Sequence, residues 1–228
     1  MQKYLVEFIG AGVLFCAVVG SGIMASNLSL NNEGVVLLAN TLATSFALYF
    51  LIKTFQEYGD AHFNPAVSMV AYLKKELSIS EFFYYCILQC TGAILGVIFA
   101  NYMFGLELIN FATNQRGGTN IYVSEVFATM GLVMIIFLSK KKNVAMSVAA
   151  FIGGAYWFTS STSFANPAAT ISRAFSDSFA GINPDYILPF LIAQLFGGLI
   201  AFLALKHHKS KGTLTPCSVR ECTLALQP

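Results

Sequence analysis

The tripeptide Asn-Pro-Ala is written twice, each time between long apolar runs: Asn64-Pro65-Ala66 in HFNPAVSMVAYL and Asn166-Pro167-Ala168 in SFANPAATISRAF. The copies are separated by close to half of the 228 residues. Asparagine is a favoured helix N-cap, and proline at the first helical position forgoes an N–H that the helix does not use. Each copy therefore starts a helix. The apolar stretches that follow, about 64–73 and about 166–177, are too short to cross a bilayer. Two short helices at matched places in two halves restrict the fold to an internal repeat that meets at the motifs. Membrane proteins built from inverted repeats put their pathway at that meeting point.

A bilayer suits the rest of the chain as its solvent. It is 56% hydrophobic and only 11% charged, whereas soluble domains carry roughly 25% charged residues. Its 21 Phe, 10 Tyr and single Trp fit lipid-facing surfaces and interfacial belts. A net charge of +2, with no basic cluster interleaved with aromatics, argues against nucleic acid as a partner. The first apolar run, Tyr4 to Ala25, is longer than a signal-peptide core and lacks a persuasive cleavage site, so it reads as a first transmembrane helix.

Six segments are long enough to span, at roughly 4–26, 34–56, 81–103, 121–139, 144–163 and 185–205. The basic residues agree with that count. With both termini cytoplasmic, the inner segments hold eleven of the thirteen Lys and Arg, and the outer segments hold only Arg116 and Arg173. This is the positive-inside asymmetry. The expectation is an all-α membrane protein with six transmembrane helices plus two re-entrant half-helices, arranged as an inverted repeat (about 4–105 and 121–205). They form one channel domain over 1–206, followed by a flexible cytoplasmic tail over 207–228. Further landmarks repeat between the halves. Glu7 in VEFIGAGVLF answers Glu125 in SEVFATMGLV, and Gln89-x-x-Gly92 answers Gln194-x-x-Gly197. Three spans per half invert the second half, so the two short helices enter from opposite sides and meet near the midplane.

Helix starts at mid-membrane carry chemistry. Each directs a positive dipole end inward, and the side-chain amides of Asn64 and Asn166 can donate hydrogen bonds to the same point. A water held there turns its oxygen to both donors and its hydrogens away, which interrupts a proton-conducting chain and repels cations. The carbonyls of Asp60, Ala61, His62 and Phe63, and those of Thr162 to Ala165, are not used by a helix and need partners, so they line a wet path. Glu7 and Glu125 are ionisable groups within spans, which marks them as functional. A loop tether is favoured over a proton relay, because few titratable groups lie near the path. The predicted conduit takes small neutral hydrogen-bonding solutes.

These residues resemble the aquaporin and aquaglyceroporin (major intrinsic protein) family, from Glu7 to about Leu205. The likeness rests on the paired Asn-Pro-Ala boxes, His62, Glu7, Glu125 and the six-plus-two layout. It implies a right-handed bundle, a homotetramer with one pore per protomer, no cofactor and no energy coupling. The selectivity filter implied by the resemblance falls on Thr44, Gly154, Ser163 and Ala169. Family members carry Arg directly after the second box, where this chain has Ala169, a large aromatic where it has Thr44, and often His where it has Gly154. Three small residues imply a wider, less polar constriction than in a strict water channel. Arg173 lies one helical turn beyond Ala169, either as a displaced charge at the outer mouth or as an exposed loop arginine. Asp60 stands where the family usually has Gly. The run AYWFTSSTSFANPAATISRAFSDSFAGI resembles a bacterial branch associated with arsenic-resistance operons, which implies passage of neutral metalloids such as arsenous acid, and of methylated arsenicals.

Other readings have less behind them. A proton-coupled secondary carrier is the alternative on an inverted-repeat fold. No nucleophile–base pair, metal cluster or Gly-rich phosphate loop points to an enzyme, and His62 is the only histidine outside the tail. Cys16, Cys86 and Cys90 lie in apolar runs and read as packing residues. Cys217 and Cys222, with His207 and His208 nearby, lack strict ligand spacing, so no metal site is assigned. The expected surroundings are membrane lipid and a bacterial inner membrane.

Overall fold

The computed structural model describes residues 1–29 and 32–211. These form eight α-helices and two short 3-10 turns. The first repeat comprises α1 (Gln2–Leu28), α2 (Glu33–Phe55), the short α3 (Pro65–Leu73) and α4 (Ile79–Met103). The second comprises α5 (Thr119–Leu138), α6 (Val144–Phe158), the short α7 (Pro167–Arg173) and α8 (Ile187–Lys211). Each half runs long, long, short, long, and the chain is an all-α bundle of the expected kind.

Among the described residues, five helices are long and apolar enough to cross a membrane. The exception is α6, expected over 144–163. It ends at Phe158 after 15 residues and is extended at its start by a 3-10 turn over Lys141–Asn143. The helix stops where the sequence becomes Thr159-Ser160-Ser161-Thr162-Ser163, because short hydroxyl side chains compete for backbone groups. Thr159 Oγ1 donates to the Ala155 carbonyl, and Ser161 Oγ accepts from the Ser163 N–H. The second short helix stops at Arg173 instead of continuing towards 177. At the far end α8 continues to Lys211, so residues 207–211 are helical where a tail was expected. Cys217 and Cys222 lie outside the described residues.

The repeats pack alike, α1 on α4 and α5 on α8, while α2 on α6 joins the halves. Glycines set the first two contacts. A Cβ on Gly92 would lie 2.2 Å from the Phe8 carbonyl oxygen, one on Gly96 2.0 Å from that of Gly12, and one on Gly197 2.4 Å from that of Val126. Backbones that approach this closely leave no space for a side chain. The half-helices α3 and α7 pack against α4 and α8 and against each other. Leu95, Phe99, Phe127 and Phe196 are exposed on the outside, as lipid-facing residues are. Cys16, Cys86 and Cys90 are half-buried free thiols.

Gly96→Val must drive α1 and α4 apart, and overpacking of this kind costs about 1–3 kcal/mol. Gly154→Ala is the control, since its Cβ would meet only the Phe158 ring, at 3.5 Å. A lowered melting temperature for Gly96→Val in detergent, with none for Gly154→Ala, is the expected result. Equal values would remove the glycine contact from the packing account.

Candidate functional site

The two short helices begin identically. Asn64 Oδ1 accepts from the Ala66 N–H and Asn166 Oδ1 from the Ala168 N–H, both at 2.9 Å. Each proline then occupies the first helical position. The amide nitrogens cross over. Asn64 Nδ2 donates to the Ala165 carbonyl at 2.8 Å, and Asn166 Nδ2 to the Phe63 carbonyl at 2.9 Å. Each acceptor belongs to the residue just before the opposite cap. A carboxamide nitrogen carries two hydrogens, so the crossover uses one from each Asn and leaves one from each for another partner.

The segments entering these caps are bent unusually. Ala61, Phe63, Thr162, Ser163 and Ala165 have φ between 48 and 57°, a left-handed conformation that non-glycine residues adopt only when their surroundings enforce it. Two carboxylates supply the enforcement. Glu7 accepts from the N–H groups of His62 (2.9 Å) and Phe63 (2.7 Å), and Glu125 accepts from those of Phe164 and Ala165 (both 2.9 Å). Both glutamates are fully buried. Gln89 Nε2 donates to Glu7 (2.7 Å) and Ser68 Oγ (3.0 Å), and Gln194 Nε2 to Glu125 (2.8 Å) and Thr170 Oγ1 (2.9 Å). The sequence paired Gln89 with Gln194 without giving them work. It passed over Ser68 and Thr170, although each stands four residues after its Asn, at the spacing that returns to the same helix face.

A cavity of about 250 Å³ runs past both asparagines. One wall is the α6 stripe Val144, Val148, Ile152 and Tyr156, spaced at i, i+4; Thr44, Leu48 and Ile52 of α2 contribute another. Asp60, Ala61 and His62 line it on the first-repeat side, and Ser163, Ala169 and Arg173 on the second. Asp60 accepts a hydrogen bond from the Tyr85 hydroxyl at 2.5 Å, and His62 Nδ1 lies 3.1 Å from Ser68 Oγ.

Gly154 is not in this group. It is exposed on the outside of α6, beside Phe158. Counting twelve residues back from Asn166 lands on the wrong face, because two residues along a helix turn the side chain by about 200°. Tyr156 stands at the cavity instead, with its hydroxyl 3.2 Å from Thr44 Oγ1. Of the three small residues expected at the constriction, Thr44 and Ala169 line the cavity together with Tyr156, and Gly154 does not. The i, i+4 stripe in α6 was the signal that would have found it. Arg173 is 3% exposed and lines the cavity, so it is not an exposed loop arginine. Its guanidinium carbon lies 3.5 Å from the centre of the Phe164 ring.

Comparison with known proteins gives this arrangement a context. Residues 1–160 match the family profile described as Major intrinsic protein. The chain is similar to the aquaglyceroporin AqpS of Rhizobium meliloti, with 39% identity over 90% of this chain and 89% of that protein. It is also similar to the aquaporin TIP2-3 of Arabidopsis thaliana, with 25% identity over 89% of this chain and 85% of that one. Its fold resembles the X-ray structure of the aquaglyceroporin from Plasmodium falciparum, with a TM-score of 0.71 at 19% identity, over 89% of this chain and 93% of that one.

Replacing Glu7 or Glu125 with Gln puts an NH2 group against a backbone N–H and leaves one buried donor without an acceptor, at a cost of about 1–3 kcal/mol. Each variant should melt at a lower temperature than the parent, and the double variant lower still. An unchanged melting temperature in both single variants would show that the carboxylates do not support the loops.

Proposed function

This chain belongs to the major intrinsic protein family, and from that premise we propose that its cavity is the pore of a passive channel for water, glycerol-like polyols and other small uncharged solutes. Members of the family are integral, multi-pass transport proteins and not enzymes, and the carrier alternative has no support among the chain's relatives. One observation supports the pore assignment above the others. The crossover of Asn64 and Asn166 leaves each with a second amide hydrogen, at the point beside the cavity where two helix N-termini meet. A solute oxygen accepts from both donors there. A water in that position has its hydrogens pointing away along the pore, so protons do not hop through, and the dipole ends oppose cations.

The site assignments follow from this reading. Asn64, Pro65 and Ala66, with Asn166, Pro167 and Ala168, form the central barrier. Glu7 and Glu125 hold the two loops. Asp60, Ala61 and His62 line the inner vestibule. The outer constriction comprises Thr44, Tyr156, Ser163, Ala169 and Arg173. Polyol passage is favoured by small Ala169 and Thr44, which leave room beside Tyr156. The similarity to a bacterial aquaglyceroporin supports a bacterial plasma membrane, and the distribution of Lys and Arg supports cytoplasmic termini, with residues 1–206 as one channel domain. A homotetramer in lipid and the passage of neutral metalloids such as arsenous acid belong to the same proposal.

A solute panel of water, glycerol, urea and arsenous acid on purified protein in liposomes tests the reading. Flux above empty liposomes, insensitive to a pH gradient, is expected; uphill accumulation driven by a proton gradient would defeat it. Asn64→Leu and Asn166→Leu should each suppress all fluxes. Ala169→Arg should lower glycerol flux by about tenfold more than water flux, the scale of one poorly accommodated group. Equal losses for every solute would place the constriction elsewhere.

A further inference from the structure

We propose that Arg116, in the segment before α5, is a positioning residue that fixes the Arg173 guanidinium, so that any preference this guanidinium gives the pore for adjacent hydroxyl oxygens depends on Arg116. The inference rests on the channel reading above and deepens it.

Arg173 is anchored at one end and open at the other. Its Nε donates to the Ala180 carbonyl and its plane lies over Phe164. Among the described residues, Nη1 and Nη2 make no hydrogen bond, and the side chain lines the cavity. Ser163 Oγ on the same cavity is buried and also without a partner. A buried hydroxyl and two guanidinium donors left unmatched await a ligand that supplies acceptors. The parallel N–H groups of a guanidinium match a pair of oxygens in one plane, which adjacent hydroxyls offer and a single water does not.

What holds Arg173 is the Ala180 carbonyl, and Arg116 grips the chain on both sides of it. Arg116 Nε donates to the Gly181 carbonyl at 2.8 Å and Nη2 to that of Phe179 at 3.0 Å. Nη1 reaches Thr162 Oγ1 at 3.4 Å, next to Ser163, and the guanidinium carbon lies 5.2 Å from the centre of the same Phe164 ring. The chain descends far enough because residue 117 is glycine; a Cβ there would lie 2.4 Å from the Tyr186 ring. The two loops are also tied independently of Arg116. Asn114 Nδ2 donates to the Ser178 carbonyl at 2.7 Å, Asn183 N to the Asn114 carbonyl at 3.0 Å, and Thr113 N to Asp177 at 2.9 Å. Removing the Arg116 side chain therefore releases the Ala180 carbonyl without detaching the loop.

The test compares propane-1,2-diol with propane-1,3-diol, which share volume and hydroxyl count but differ in whether the oxygens are adjacent. In proteoliposomes, corrected for empty vesicles, the parent should pass the 1,2-isomer about threefold faster, the scale of one net hydrogen bond. Arg173→Leu should bring the ratio to unity, and Arg116→Gln should move it most of the way there. In the Arg173→Leu background, Arg116→Gln should change nothing further, since it acts through a group already gone. An unchanged ratio in Arg116→Gln or additive effects in the double variant would each overturn the proposal. A parent that conducts no solute defeats the channel reading itself. In that case, or where the parent shows no isomer preference, the grip is judged by hydrogen exchange at the Gly181 amide, which donates to the Ser178 carbonyl at 2.8 Å. Faster exchange in Arg116→Gln upholds it, and unchanged exchange overturns it.

Discussion

A carboxylate removed from water costs several kcal/mol unless donors replace the hydration it loses, and Glu7 and Glu125 meet that condition with loop N–H groups and a glutamine amide each. The exchange serves both sides. The acids gain partners, and the loops gain the outside constraint that left-handed Ala61, Phe63 and Ala165 require. Everything nearer the cavity depends on those loops. They deliver the Asn caps at a fixed height and turn the Phe63 and Ala165 carbonyls to the opposing amides. Remove the acids from this scheme and the strained backbone loses the acceptors for four of its N–H groups.

Much of the fold was legible because membrane length and helix capping are local rules. Apolar runs located four of the long helices to within two residues at each end and the starts of the other two equally well, and Asn-Pro gave the starts of the two short ones. The basic residues agreed with the span count. Errors arose where a local rule met a tertiary one. The hydroxyl-rich run after Phe158 ended α6 early, though its composition did not look unhelical. Counting back from Asn166 assumed a fixed loop length, and an error of two residues exchanged a pore-facing tyrosine for a surface glycine. Phe164, which carries Arg173 on its face, was passed over because a single Phe after a hydroxyl-rich run does not show in the sequence which side chain it will stack on. Ser68 and Thr170 were passed over because their partners, Gln89 and Gln194, come from other helices.

The repeats share a backbone plan, and their side chains part company at the ends of the cavity. Four residues before the first Asn stands Asp60, held by Tyr85; four before the second stands Thr162, touched by Arg116. Seven residues after the first Asn stands Ala71, and seven after the second stands Arg173. A symmetric scaffold thus carries an acid at one mouth and a guanidinium at the other. The features the halves share lie where the two short helices meet, and the features that differ lie towards the ends of the cavity.

The crossed amides have a consequence for how such a chain can be divided. Asn64 completes the second repeat's Ala165 carbonyl, and Asn166 completes the first repeat's Phe63 carbonyl. A single repeat, expressed by itself, would hold one amide and one carbonyl that cannot reach each other. Only a second copy inserted upside down could close that pair. Gene fusion would then be a way of guaranteeing that each half is born beside a partner of opposite orientation, and a split version of this protein should regain its fold only where both pieces insert in opposing senses.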